Sequence, residues 1–296
     1  VNGITRSAQD RRVLWTVFGM TLLYLVVEVV VGLLANSLAL AADAVHMLTD
    51  AGALALAAFA SWMAEKPATP QRTYGYYRAE ILAALANAVI LIASSGYILY
   101  EAYQRFLEPA AVVGLPMVLA AVVGLGVNLV GIWLLRSRSS DNLNIHAALY
   151  EVVKDALGSV GVIVAGIVIL TTGFYAADPI VSALIAFSIL PRTWGLLSEA
   201  VDVLLEASPA DVSVGAVRET MGAVQGVDAV HDLHVWTITS GFVAMSGHVV
   251  LEDRVDRAEA QQVLSELNER LEDDYGIEHA TIQLEFRDLE EGEPLA

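Results

Sequence analysis

The chain contains no cysteine, which excludes disulfide cross-links and thiolate-ligated metal centres. Charge is scarce as well: 17% of its 296 residues are Asp, Glu, Lys or Arg, against about 25% in soluble domains. Positive charge is scarcest, with 16 Lys and Arg beside 34 Asp and Glu and a net charge of −18. Nucleic acid, which needs a basic face, is thereby excluded as a partner. The acidity suits cation attraction or plain solubility, and an acid-rich proteome gives the same signal. Residues 1–12 are polar and lack the pattern of a cleaved signal peptide. No internal repeat is evident.

In place of charge the chain carries long apolar runs, with 56% of its residues hydrophobic. Six of them, near residues 14–34, 39–63, 80–104, 113–135, 147–171 and 178–200, reach the roughly 20 helical residues that cross about 30 Å of hydrocarbon. Asn36 and Ser37 leave only a tight turn between the first two, which predicts a helical hairpin. Loop Lys and Arg set the orientation. With the N-terminus in the cytoplasm, Arg6, Arg11, Arg12, Lys66, Arg72, Arg78, Arg136 and Arg138 collect on that side, and Arg105 alone on the other. A multi-pass protein of the lipid bilayer with both termini cytoplasmic is expected.

The charge is uneven: residues 1–206 hold 15 acids and 11 bases, residues 207–296 hold 19 and 5. The second part reads as a polar domain with helix 209–224, strands 228–238 and 242–252, helix 256–274 and strand 278–286. Ser240 and Gly241 supply a hairpin turn, and Val263, Leu264, Leu267 and Leu271 recur at helical spacing. The order αββαβ predicts a three-stranded sheet backed by two helices. The expected division is a six-helix membrane domain (1–206), a cytoplasmic α+β domain (207–287) and a disordered tail (288–296).

Ionisable groups at membrane depth are costly and by default face a bundle interior and an ion pathway. Two runs carry them one helical turn apart: Asp43, His46 and Asp50 in the second, and Glu151, Lys154 and Asp155 in the fifth. Spacing of three or four puts each set on one helix face. His46, Asp50, Glu151 and Asp155 offer one nitrogen and three oxygens, enough to close a tetrahedron around a borderline divalent cation. The bland alternative is that each pair hydrogen-bonds neighbouring helices. Asp43 either orients the His46 ring or lines a path. Lys154 either pairs with Glu151 or Asp155 or snorkels toward the interface. Glu28 is a further polar group at depth that could line a cavity, while Asn87 and Asn128 read as interhelical hydrogen-bonding groups. In the C-terminal part His231, His234, His248 and His279 lie on or beside the strands, and Glu285 and Gln283 are near the end of the chain. His231, His234, His248 and Glu285 are candidates for a second metal site, although alternating strand faces should keep the four histidines from all meeting.

Residues 35–50 (ANSLALAADAVHMLTD), 74–80 (YGYYRAE), 144–150 (NIHAALY), 155–163 (DALGSVGVI) and 231–236 (HDLHVW) give the chain a resemblance, spread over nearly its whole length, to the cation diffusion facilitator family of the bacterial zinc-efflux type. The resemblance implies a six-helix transporter with a ferredoxin-like cytoplasmic domain, a homodimer in the inner (cytoplasmic) membrane. It implies exchange of cytoplasmic Zn²⁺ for protons at His46, Asp50, Glu151 and Asp155. Two departures stand out. The zinc-efflux type usually has His where this chain has Glu151, and the harder donor set shifts preference toward Mn²⁺, Fe²⁺ or even a monovalent ion. Lys154 is unexpected beside such a site. Gln71 stands where many relatives place a histidine, and the loop before the fifth helix has only His146. The expected function is proton-coupled, alternating-access efflux of a divalent metal, with Zn²⁺ also a possible regulatory ion in the C-terminal part. An intramembrane metalloenzyme would need a motif such as H-E-x-x-H, which the sequence lacks, so no enzymatic activity is expected. A metal sensor anchored by the membrane part is disfavoured by the intramembrane carboxylates.

Overall fold

The computed structural model describes residues 2–136 and 143–286; Arg138 and the tail expected to be disordered, 288–296, lie outside them. Six long helices come first: α1 (Asn2–Ala35), α2 (Leu38–Ala64), α3 (Arg78–Leu107), α4 (Gly114–Arg136), α5 (Leu143–Thr172) and α6 (Ala177–Leu204). Then follow α7 (Val214–Gly222), β1 (Val227–Thr239), β2 (Phe242–Leu251), α8 (Arg257–Tyr275) and β3 (His279–Glu285). This is the predicted architecture, a six-helix membrane protein with a small α+β domain.

The chain forms two compact units. The first runs to Leu56 and from Ala86 to Gly195; the second is Ala57–Leu85 and the residues from Leu196 onward. In the first, burial is inverted relative to a soluble protein. Leu23, Leu33 and Leu34 are more than 70% exposed, while Glu28, Asp43, His46 and Asp178 are buried. Lipid accounts for this, because apolar side chains lose nothing by facing hydrocarbon whereas polar ones do. Ala35, Ala39 and Leu40 pack with Met117, Ala121, Val162 and Ala165, and Ala42 packs with Ile98 and Ala186. All six helices are thus tied to the α1–α2 hairpin.

That hairpin turns at Asn36, which holds a left-handed φ of 53°, a conformation Asn tolerates better than most residues. The amide of Ser37 bonds the carbonyl of Gly32 at 3.0 Å, closing α1. The start of α2 is capped from a distance. Asp178 Oδ2 accepts from the Leu38 amide at 2.8 Å, and Asp178 Oδ1 accepts from the Ser37 hydroxyl at 2.6 Å and the Ala39 amide at 3.2 Å. A carboxylate there satisfies orphan amides and complements the helix dipole.

In the second unit the strand order is β1-β2-β3, with β1 antiparallel and β3 parallel to the central β2. The parallel pair needs a crossover, which α8 provides. A capping box of Asp256 and Glu259 starts α8, and Gly276 at φ 64° ends it. Its Val263, Leu267 and Leu271 pack with Val217, Met221, Leu233, Val235 and Met245. Helix α7 begins later than the predicted 209, because Pro209 opens a turn (Val212 amide to Pro209 carbonyl, 3.1 Å) and Ser213 is the N-cap.

Candidate metal sites

Helix α2 carries Asp43, His46 and Asp50 on one face, and α5 brings Glu151 to it. His46 Nε2 lies 3.7 Å from Asp50 Oδ2 and 3.8 Å from Glu151 Oε1, and one donor atom from each of the three residues falls within 4.8 Å of the others. A tetrahedral centre with bonds near 2.1 Å sets its donors about 3.4 Å apart, and the two imidazole–carboxylate distances come within a few tenths of an ångström of that. A cleft of about 530 Å³ with mostly apolar walls, among them Trp15, Phe18 and Leu54, reaches Asp50, Glu151 and Asp155. Asp155 belongs to the same electrostatic cluster as Asp50 and Glu151 but not to the close triad among the described residues.

Behind the triad lie further buried polar groups. His46 Nδ1 is buried and has no hydrogen-bond partner among the described residues, so Asp43 does not accept from the ring. Glu28 is fully buried; Oε1 accepts from the Tyr24 hydroxyl at 3.1 Å, and Asp43 is an ionisable neighbour. Tyr24 reaches this position only because residue 124 is glycine: a Cβ there would sit 2.3 Å from the Tyr24 ring carbon Cζ and hydroxyl. Lys154 Nζ lies 3.3 Å from Glu151 Oε1. One participant escaped the sequence reading: Arg192 of α6, whose Nη1 is 2.6 Å from Glu151 Oε2. The available signal was a single guanidinium inside the sixth apolar run, next to Pro191.

The second cluster lies on the sheet. His231 and His248 are direct cross-strand partners, and Gln283, two residues before Glu285, pairs with His248. His231 Nε2 is 2.9 Å from Glu285 Oε2, and His248 Nδ1 is 2.9 Å from Glu285 Oε1. Burial pushes the Glu285 carboxyl up, but hydrogen bonds from His231 and Gln283 and the neighbouring imidazole charges outweigh it and hold it below the usual carboxylate range. His234 sits beside this group, exposed, 3.0 Å from Asp232 Oδ1. Strict alternation would put His231 and His234 on opposite faces. A bulge between them, with Asp232 at φ 48°, sets three residues of β1 against two of β2 and returns both to one face. His279 lies away from the cluster, its ring edge-on to Tyr74 and Phe242.

Residues 14–205 match the family model described as the cation efflux transmembrane domain, and residues 209–287 match that of the cation efflux protein, cytoplasmic domain. The chain belongs to the cation diffusion facilitator family. This is a family of transporters, and the chain is a metal cation efflux protein rather than an enzyme. It is 43% identical over 284 residues to the metal cation efflux system protein CzcD of Cupriavidus metallidurans, covering 96% of this chain and 89% of that protein. It is 40% identical over 278 residues to the cadmium, cobalt and zinc/H(+)-K(+) antiporter of Bacillus subtilis (93% and 89% covered). To zinc transporter ZitB of Escherichia coli it is 40% identical over 279 residues (94% and 88% covered). Among solved structures, the metal-bound C-terminal domain of the C. metallidurans CzcD transporter matches at 39% identity, covering 25% of this chain and 99% of that one, with a TM-score of 0.23.

Proposed function

We propose that this cation diffusion facilitator exports a divalent metal, Zn²⁺ foremost, from the cytoplasm in exchange for protons, by alternating access through His46, Asp50, Glu151 and Asp155. The observation that carries this reading is the convergence of one imidazole and two carboxylates from separate apolar helices on a common point. Zinc is favoured by the names of the relatives, among them a zinc transporter and a cadmium, cobalt and zinc antiporter. Donors of this kind bind metal only when deprotonated, so metal binding releases protons, and protons arriving from outside displace the metal. The distribution of Lys and Arg supports cytoplasmic termini in the inner membrane, with residues 1–206 as the membrane part and 207–287 as the cytoplasmic part. The match to a cytoplasmic dimerisation domain supports a homodimer, and the His231, His248 and Glu285 cluster supports a second, regulatory Zn²⁺ site.

The test is Zn²⁺ flux and internal pH in proteoliposomes. The native chain is expected to move Zn²⁺ and protons in opposite directions. His46→Ala together with Asp50→Ala is expected to abolish both movements, and flux that survives overturns the site.

A second reading is favoured by Glu151, which makes the donor set rich in oxygen. Hard ions such as Mn²⁺ and Fe²⁺ accept such donors better than soft ones do. Competition of Mn²⁺ against Zn²⁺ in the native chain and in Glu151→His decides it. If Mn²⁺ competes equally in both, the carboxylate does not set selectivity.

A further inference from the structure

Glu151 is the most contested ligand of the transport cluster. Arg192 Nη1 holds Oε2 at 2.6 Å, and Lys154 Nζ holds Oε1 at 3.3 Å. A metal arriving at His46 and Asp50 therefore meets a third ligand whose two oxygens already face cations. A guanidinium does not lose its proton in a protein, so Arg192 yields Glu151 only by moving. Its side chain is 61% exposed, which leaves it room. It also follows Pro191 inside α6, and the proline ring removes the amide that would bond the Phe187 carbonyl, loosening the helix at this point.

We propose that Arg192 is a tethered competitor for the transported metal, holding Glu151 while the site is empty, releasing it to a divalent cation and reclaiming it as the cation leaves. The proposal rests on the transport-site reading above. It makes Arg192 a specificity-determining residue. A monovalent ion offers Glu151 no more charge than the guanidinium already does, whereas a divalent ion offers twice as much. The same competition weakens binding and assists release, so the half-saturating concentration and the maximal rate are coupled through one side chain.

The experiment uses the full chain in phosphatidylethanolamine–phosphatidylglycerol vesicles, with Zn²⁺ flux measured over a range of free Zn²⁺ and in the presence of Na⁺. Two neutral variants, Arg192→Gln and Arg192→Met, guard against loss of folding in either. Both are expected to lower the half-saturating Zn²⁺ about five-fold, the scale of a partly exposed ion pair, to lower the maximal rate, and to make flux sensitive to Na⁺. Arg192→Lys is expected to stay within about two-fold of native on the same scale. In a Glu151→His background the effect of Arg192→Gln on half-saturation is expected to vanish. Neutral variants with unchanged or raised half-saturation, a Lys variant that behaves as neutral, or an effect that persists in Glu151→His each overturn the proposal. If zinc flux survives His46→Ala with Asp50→Ala, the site itself is wrong; if that pair abolishes flux while Arg192→Gln leaves half-saturation unmoved, only the competitor role fails.

Discussion

His46, Asp50 and Glu151 in the apolar bundle and His231, His248 and Glu285 on the C-terminal sheet offer similar donors on different scaffolds. On the sheet, adjacent strands share a backbone hydrogen-bond ladder, and both imidazole–carboxylate distances are 2.9 Å. In the bundle the donors come from two helices, each of which satisfies its own backbone, and the distances are 3.7 and 3.8 Å. Strand register fixes a separation, because changing it breaks the ladder. Helix packing permits a change, because no backbone bond joins the two helices. A site that must take up and let go of its ion needs the second arrangement, and a site that only senses an ion is served by the first.

The largest expected effect separates the two clusters directly. Groups that merely support a metal ligand typically cost 10–100-fold on removal, so Asp50→Ala is expected to lower zinc flux in vesicles by at least about 100-fold, and His248→Ala by less than about ten-fold. Comparable losses in the two variants would end the distinction. Next is Gly124→Ala, which forces Tyr24 off Glu28. Overpacking of this kind costs about 1–3 kcal/mol, readable as a lowered thermal midpoint in detergent, and Tyr24→Ala in the same chain is expected to restore part of the loss. Asp256→Ala removes the N-cap and half of the capping box of α8, for a loss of about 1 kcal/mol, checked by denaturant unfolding of the C-terminal part.

The smallest effect is a pH dependence. The Glu285 carboxyl titrates lower in the folded state than in the unfolded one. Its contribution is therefore fully present above the unfolded value of about 4.3 and is lost as pH falls through the folded value. Glu285→Gln is expected to be less stable than native near neutrality but to lose less on acidification below pH ~5. Hydrogen-exchange protection of β3, corrected for intrinsic rates, reads this difference, and equal losses in both chains would remove it.

The six spans and the αββαβ order were legible because bilayer thickness and side-chain periodicity act on local sequence. So was the sharing of one face by His46 and Asp50, which follows from helical geometry alone. What escaped depends on neighbours distant in the chain. Arg192 meets Glu151 across 41 positions, a pairing no local pattern encodes. The Tyr24 contact with Gly124 spans 100 positions and likewise leaves no local pattern. The bulge at Asp232 is local but silent, since a single left-handed residue in a strand leaves no compositional mark, and strict alternation shows only that the four histidines do not all meet. Helix α7 is shorter than the sequence predicts because Pro209 opens a turn and the helix begins only after Ser213.

The cap that Asp178 places on α2 has a mechanical consequence. With its first amides held by α6, any tilt of α2 would pivot near Leu38. At 1.5 Å per residue His46 lies about 12 Å and Asp50 about 18 Å from that pivot. A tilt of about ten degrees would swing Asp50 by about 3 Å and His46 by about 2 Å, longer than or comparable to a metal–ligand bond. A fulcrum a few atoms wide would thus convert a small rotation into the making or breaking of coordination, with the farther carboxylate travelling most.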